Sequence, residues 1–94
     1  MRQYETMFVL HPGLDGDAVN EWVTRFQGVV AQNGGTITRL QEIGKRRLAY
    51  EIEGVREGYY VLLNFTGSTQ LVGELERVMK ISEPVLRFLT VRPE

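Results

Sequence analysis

The sequence predicts an α+β fold, a four-stranded antiparallel sheet with two helices packed on one of its faces. Three observations carry this. Apolar residues alternate with a period of two over four stretches, they recur at helical spacing over two others, and the order is strand, helix, strand, strand, helix, strand. A split βαβ repeat in this order makes two right-handed crossovers, each of which sets its helix on the same side of the sheet. The expected product is a ferredoxin-like βαββαβ sandwich whose other sheet face is left open.

Each element has its own signal. Tyr4, Thr6, Phe8 and Leu10 alternate with Glu5, Met7 and Val9, which reads as a strand that His11, Pro12 and Gly13 break. Asp15 is placed to cap a helix whose apolar positions are Val19, Trp22, Val23, Phe26, Val29 and Val30, and Asn33, Gly34 and Gly35 end it. Thr36 to Ile52 is a long extended stretch. Its residues Ile37, Leu40 and Ile43 are spaced by three, so a bulge or kink is needed to turn them to one side. Glu53 to Gly58 is expected to be a loop leading into the β-forming run Tyr59 to Phe65. Gly67, Ser68 and Thr69 make a turn and a cap, Leu71, Val72, Leu75, Val78 and Met79 trace a second helix, and Ser82, Glu83 and Pro84 stop it before a last strand, Val85 to Val91.

Composition bounds what such a chain does. At 94 residues it is expected to form one domain, 1–94, large enough to bury roughly 60 to 65% of its unfolded surface. Apolar residues at 43% and charged residues at 24% are those of a globular protein. There is no cysteine, which removes disulfides, thiolate metal sites and thiol nucleophiles, and fits a reducing cytosol. No apolar signal segment follows Met1 and no apolar run reaches membrane length, so a cytoplasmic location is expected. A net charge of −1 argues against coating a polyanion through the overall field, so any such contact is local.

The local candidate is the run GKRRLAYEI, Gly44 to Ile52, where Lys45, Arg46 and Arg47 sit directly before a strand-like segment. A strand start has no structural need for three adjacent cations. They either hold a solvated face or meet an anion such as a nucleic-acid backbone.

Strand parity divides the other candidates. Phe8, Leu10, Leu48, Tyr50, Ile52, Val61, Leu63, Phe65 and Phe88 are assigned to the helix-covered face. Glu5, Met7, Val9, Tyr60, Leu62, Asn64, Arg87, Leu89 and Val91 fall on the open face, which is apolar for a surface meeting only water. Met7, Val9, Tyr60, Leu62, Leu89 and Val91 are therefore read as a face for a protein partner. With the third strand taken as parallel to the first, Arg2, Tyr4, Tyr59 and Arg92 gather at one end of the sheet, with Arg46 and Arg47 in the same half. Arginines interleaved with aromatics suit RNA, because guanidinium groups fork onto phosphates and stack on bases. The alternative is that the tyrosines are core or rim residues and the arginines pair with Glu5, Glu51 and Glu53. The expected RNA contacts are Arg2, Tyr4, Lys45, Arg46, Arg47, Tyr59, Arg87 and Arg92.

Catalytic chemistry is sparse. His11 is the only histidine and sits in a turn, the acidic residues have no metal-ligand spacing, and no glycine loop cradles a phosphate. The string FQGVV, Phe26 to Val30, faintly matches the acylphosphatase motif but lies within a helical apolar period, and the loop after the first strand lacks the arginine that family uses. No enzyme, metal or cofactor is expected.

Over essentially its full length the chain resembles the bacterial small-subunit ribosomal protein six family. The matching pieces are the opening MRQYE, the Pro12 turn with Leu14 and Asp15, GKRRLAYEI, the Gly58–Tyr59 pair and the closing VLRFLTVR. Glu51 stands where the family usually has proline. Members often carry a C-terminal tail, and with the sequence ending at Glu94 its contribution is expected to be missing. The resemblance implies a non-enzymatic protein of the small ribosomal subunit, in the cytoplasm, that binds the central domain of 16S ribosomal RNA together with ribosomal protein eighteen. Two readings compete: a regulatory homodimer binding a small molecule near the HPGLDG loop, which leaves Lys45, Arg46 and Arg47 unexplained, and a small hydrolase, which lacks reactive groups.

Overall fold

A computed structural model describes residues 1–93, and its elements follow the expected order: β1 (Arg2–Leu10), α1 (Gly16–Gln32), β2 (Thr36–Ile52), β3 (Val55–Gly67), α2 (Thr69–Lys80) and β4 (Val85–Val91). The four strands form one sheet in the order β2-β3-β1-β4, and every neighbouring pair is antiparallel. The fold is the ferredoxin-like βαββαβ sandwich.

Local chemistry sets the helix ends. The Asp15 carboxylate accepts a hydrogen bond from the Ala18 backbone N–H at 2.8 Å, and the Ser68 hydroxyl accepts one from that of Leu71 at 3.2 Å. Each satisfies a donor that the first helical turn leaves without a partner. At the far end of α2, Arg77 and Lys80 sit where the helix dipole favours cations. The Ser82 hydroxyl donates to the Val78 carbonyl at 2.6 Å, closing the last turn before Pro84.

The core is helix on sheet. Val19, Val23, Phe26 and Val30 of α1 and Leu71, Leu75 and Met79 of α2 pack on Tyr4, Phe8, Leu10, Val61, Leu63 and Phe65. Phe8 and Phe26 meet edge to face, with ring centroids 5.1 Å apart. Across β1 and β4 the Thr6 and Thr90 hydroxyls hydrogen-bond at 2.8 Å, which satisfies the polar atoms that Thr6 carries into this layer.

Three expectations are corrected. First, β3 runs antiparallel to β1, with Arg2 opposite Gly67 and Leu10 opposite Tyr59. Two crossovers joined by a hairpin leave no other direction for the third strand. Second, residues 55–58 belong to β3 rather than to a loop: Ile52 pairs with Val55 around Glu53 and Gly54, whose φ values are 49° and 82°. Positive φ at both central residues marks a type I′ turn, whose twist matches that of long hairpin strands.

Third, Tyr4 lies under the helices. It is 5% exposed, with its ring centroid 5.8 Å from that of Phe65. It shares strand parity with Phe8, so it is a core residue and presents no surface to RNA.

Phe26 and Leu75 lie at the centre of their stripes and are fully buried. Truncating either to alanine is expected to cost about 2 to 5 kcal/mol in denaturant titration. A loss near zero would contradict the packing described.

Candidate nucleic-acid and partner interface

The bare side of the sheet is built in rows. Reading from β2 across β3 and β1 to β4, one row is Arg39, Asn64, Glu5, Val91, the next is Gln41, Leu62, Met7, Leu89, and the third is Gly44, Tyr60, Val9, Arg87. Leu89 is 51% exposed and Val91 43%, while Met7, Tyr60 and Leu62 are half-buried. None of them joins the helix-covered cluster. Five of the six expected partner-face residues thus lie together on an uncovered, largely apolar surface.

Val9 is the exception, with 0% exposure. Its cover comes from an unexpected place. A β-carbon placed on Gly58 would fall 2.2 Å from Val9 Cγ1 and 3.4 Å from Leu48 Cδ2, so Val9 and Leu48 close over the bare glycine. Leu48 and Tyr50 therefore lie on the open side, not beneath the helices. The cause is a bulge. The β2–β3 register shifts between Glu42 and Gly44, Gly44 has φ 97°, and the extra residue reverses the parity that Arg39 to Glu42 set, as far as Tyr50.

The hairpin end then folds over the sheet. Arg87 Nη1 donates to the Tyr50 hydroxyl at 3.4 Å, and its guanidinium lies 5.9 Å from the Tyr50 ring centroid. β2 and β4 are opposite edges of the sheet. The two residues meet only because the β2–β3 hairpin curls across the intervening strands, and Tyr50 stays 62% exposed on top.

The same bulge sets the cations. Lys45 is paired with Tyr59, Arg46 with Gly58 and Arg47 with Glu57, so Arg46 projects to the open side while Lys45 and Arg47 project to the other. The run straddles the sheet edge formed by β2, and all three residues are exposed. Arg46 Nη1 donates to the Lys45 carbonyl at 2.8 Å, which bends that side chain back along the strand.

Among residues 1–93 the side-chain ion pairs are Arg56 with Glu51 and Arg77 with Glu74. Among these residues Lys45, Arg46, Arg47 and Arg87 have no carboxylate within ion-pair distance, and the pairing of these cations with Glu5, Glu51 or Glu53 does not occur.

The other expected contacts divide. Arg2 and Arg92 are exposed at the opposite end of β1 from Tyr59, so the expected single cluster is two. Eight strand steps of roughly 3.3 Å, about 26 Å, separate them from the hairpin end. Tyr59 is half-buried against the core, and its hydroxyl donates to Glu42 Oε1 at 2.9 Å. Burial first, and then the hydrogen bond and charge of Glu42, hold the Tyr59 phenol above its ordinary pKa, so it stays a neutral donor. Tyr59 is a strut rather than a free stacking platform. Sequence reasoning missed Tyr50 and Leu48 as open-face residues, and the signal that could have moved them was Gly44, a glycine inside a strand pattern.

Residues 3–92 match the family model for ribosomal protein S6. The chain is 44% identical over its whole length to the small ribosomal subunit protein bS6 of Carboxydothermus hydrogenoformans, covering 98% of that protein, and 47% identical to that of Clostridium novyi, covering 99%. Its fold superposes on the crystal structure of 30S ribosomal protein S6 from Thermotoga maritima with a TM-score of 0.92 at 29% identity, over 98% of this chain and 87% of that one. The class that these relatives represent is that of the proteins of the small ribosomal subunit. The chain belongs to the ribosomal protein S6 family, whose members are structural, non-enzymatic proteins of the small subunit of the bacterial ribosome.

Gly58 tests the hairpin seat. Gly58→Ala forces a methyl group onto stiff, buried Val9 and is expected to lower stability by about 1 to 3 kcal/mol. An unchanged denaturant midpoint would show that the hairpin does not rest there.

Proposed function

We propose that the chain binds the central domain of 16S ribosomal RNA as a pair with ribosomal protein eighteen, the protein partner seated on the open sheet face and the RNA along the cation run. The observation that carries this reading is a single sheet with a bare apolar face and a bare basic edge along β2. Lys45, Arg46 and Arg47 stand exposed without ion-pair partners, and beside them Met7, Tyr60, Leu62, Leu89 and Val91 leave apolar area open to solvent.

Exposed cations with no carboxylate at ion-pair distance among the described residues suit phosphate, and arginine does so bidentately. Arg87, stacked on Tyr50, adds a fourth charge at the same end, and Arg2 with Arg92 offers a second phosphate contact about 26 Å away. Two contacts at that separation fit recognition of the shape of a folded RNA rather than the reading of bases. Tyr50 and Tyr60 alone do not make the aromatic set of a single-strand-binding sheet. A net charge of −1 leaves most of the phosphate attraction to a basic partner, while this chain supplies position.

Two variants test the two surfaces separately. Arg46→Ala with Arg47→Ala is expected to shift stability by about 0.5 kcal/mol or less, since both residues are exposed. The same pair of changes should weaken RNA binding and flatten its salt dependence by a slope of about 1 for each phosphate left without its cation. A folded double variant with the wild-type salt slope contradicts the RNA assignment. Leu62→Asp should fold, because no helix covers Leu62, yet fail to pair with ribosomal protein eighteen, because an unpaired carboxylate buried in an interface costs about 3 to 5 kcal/mol. Normal pairing by that variant would move the partner to a sheet edge or to the helices.

A further inference from the structure

Among the described residues, the apolar face carries one carboxylate. Glu5 lies in the row Arg39, Asn64, Glu5, Val91, directly beside the row of Leu62, Met7 and Leu89. It is half-buried and forms no ion pair among residues 1–93. Arg39, two strands away in the same row, lies beyond ion-pair distance. A carboxylate in that position weakens any hydrophobic contact made over it, so its presence calls for a reason.

Asn64 supplies the second observation. Its Nδ2 donates to Glu5 Oε2 at 3.2 Å, and its own carbonyl Oδ1 is buried with no hydrogen-bond partner. The amide thus turns its donor to Glu5 and leaves its acceptor empty. A carboxylate only accepts, so Asn64 meets it through Nδ2, and that bond fixes Glu5 Oε2 while leaving Oε1 without a hydrogen bond. One Glu5 oxygen is engaged and the other is free.

We propose that the open sheet face is specific for a partner that places a guanidinium or ammonium group on Glu5, with Asn64 as the residue that positions the carboxylate. The inference rests on the reading of this face as the protein-partner surface. A cation set between Val91 and Met7 would be desolvated by its apolar surroundings, where a charge-assisted hydrogen bond is strong and its absence is penalised. The same carboxylate repels phosphate, so it keeps RNA off the middle of the face and on the edge where Lys45, Arg46 and Arg47 stand. Glu5 is then a specificity device. It admits a basic protein surface and refuses both RNA and a second apolar face that brings no cation.

The test is titration calorimetry of the full chain with ribosomal protein eighteen, comparing wild type, Glu5→Gln and Leu62→Asp over a range of salt. Glutamine keeps the shape and the bond to Asn64 and removes only the charge. Glu5→Gln should retain the wild-type unfolding midpoint, bind roughly 10- to 100-fold more weakly, as expected for removal of one charge-assisted hydrogen bond, and show a shallower salt dependence. Asn64→Leu, which frees the carboxylate to rotate, should give a smaller loss in the same direction. If Glu5→Gln matches wild type in affinity and salt slope while Leu62→Asp does not bind, the inference falls and the partner face stands. If Leu62→Asp also binds normally, the partner face itself is misplaced. Should Glu5→Gln fail to fold, wild-type affinity that stays flat with salt overturns the inference.

Discussion

Two helices have to bury their apolar stripes on one side of a single four-stranded sheet, and the rest of the molecule follows from that constraint. Both crossovers set their helices on one side of the sheet, so Phe26 and Leu75 arrive over the same strands, and Phe8, Leu63 and Phe65 meet them from below. The consequence is a second sheet face without a layer to cover it. The described residues hold no further helix to lay there, so Leu89 and Val91 remain in solvent. Apolar surface left bare by the topology is what a permanent assembly uses for docking.

Within that frame, Gly44 decides where the charges go. Continued from Leu40 without a further bulge, β2 would keep Leu48 and Tyr50 beneath the helices. The bulge at Ile43 and Gly44 reverses the alternation, brings Leu48 onto Val9 and Gly58, carries Tyr50 to Arg87, and sends Arg46 to one side of the edge strand and Arg47 to the other. This slip, the second along β2 after the one between Ile37 and Arg39, thus sets the curled hairpin and the basic edge together. Bulges also blunt an edge strand against pairing with another sheet, which suits a protein whose partners are meant to be specific.

The order of elements, the caps at Asp15 and Ser68, the two helix stripes and the identity of the open face are legible in the sequence, because each rests on local periodicity or on one side chain near a helix end. What is not legible depends on register. The spacing of Ile37, Leu40 and Ile43 announces one bulge, yet β2 holds two ahead of Leu48, between Ile37 and Arg39 and between Glu42 and Gly44, and counting only one sends Leu48 and Tyr50 to the wrong face. Tyr4 shares the alternation of Phe8, and grouping it with surface arginines ignores that. Treating β3 as parallel to β1 merges two cation groups into one. Val9 reads as exposed because its cover, Leu48 lying over Gly58, is a contact between strands far apart in sequence.

The central claim is a division of labour, with protein on the apolar face and RNA at the basic edge. It is tested most directly by NMR chemical-shift mapping of the isotope-labelled full chain, titrated separately with ribosomal protein eighteen and with a fragment of the central domain of 16S ribosomal RNA. The account predicts that the protein moves the signals of Glu5, Met7, Leu62 and Leu89, that the RNA moves those of Lys45, Arg46 and Arg47, and that the outward surfaces of α1 and α2 stay unchanged. Shifts from both partners centred on the helices, or RNA shifts centred on Glu5 and Met7, would contradict it.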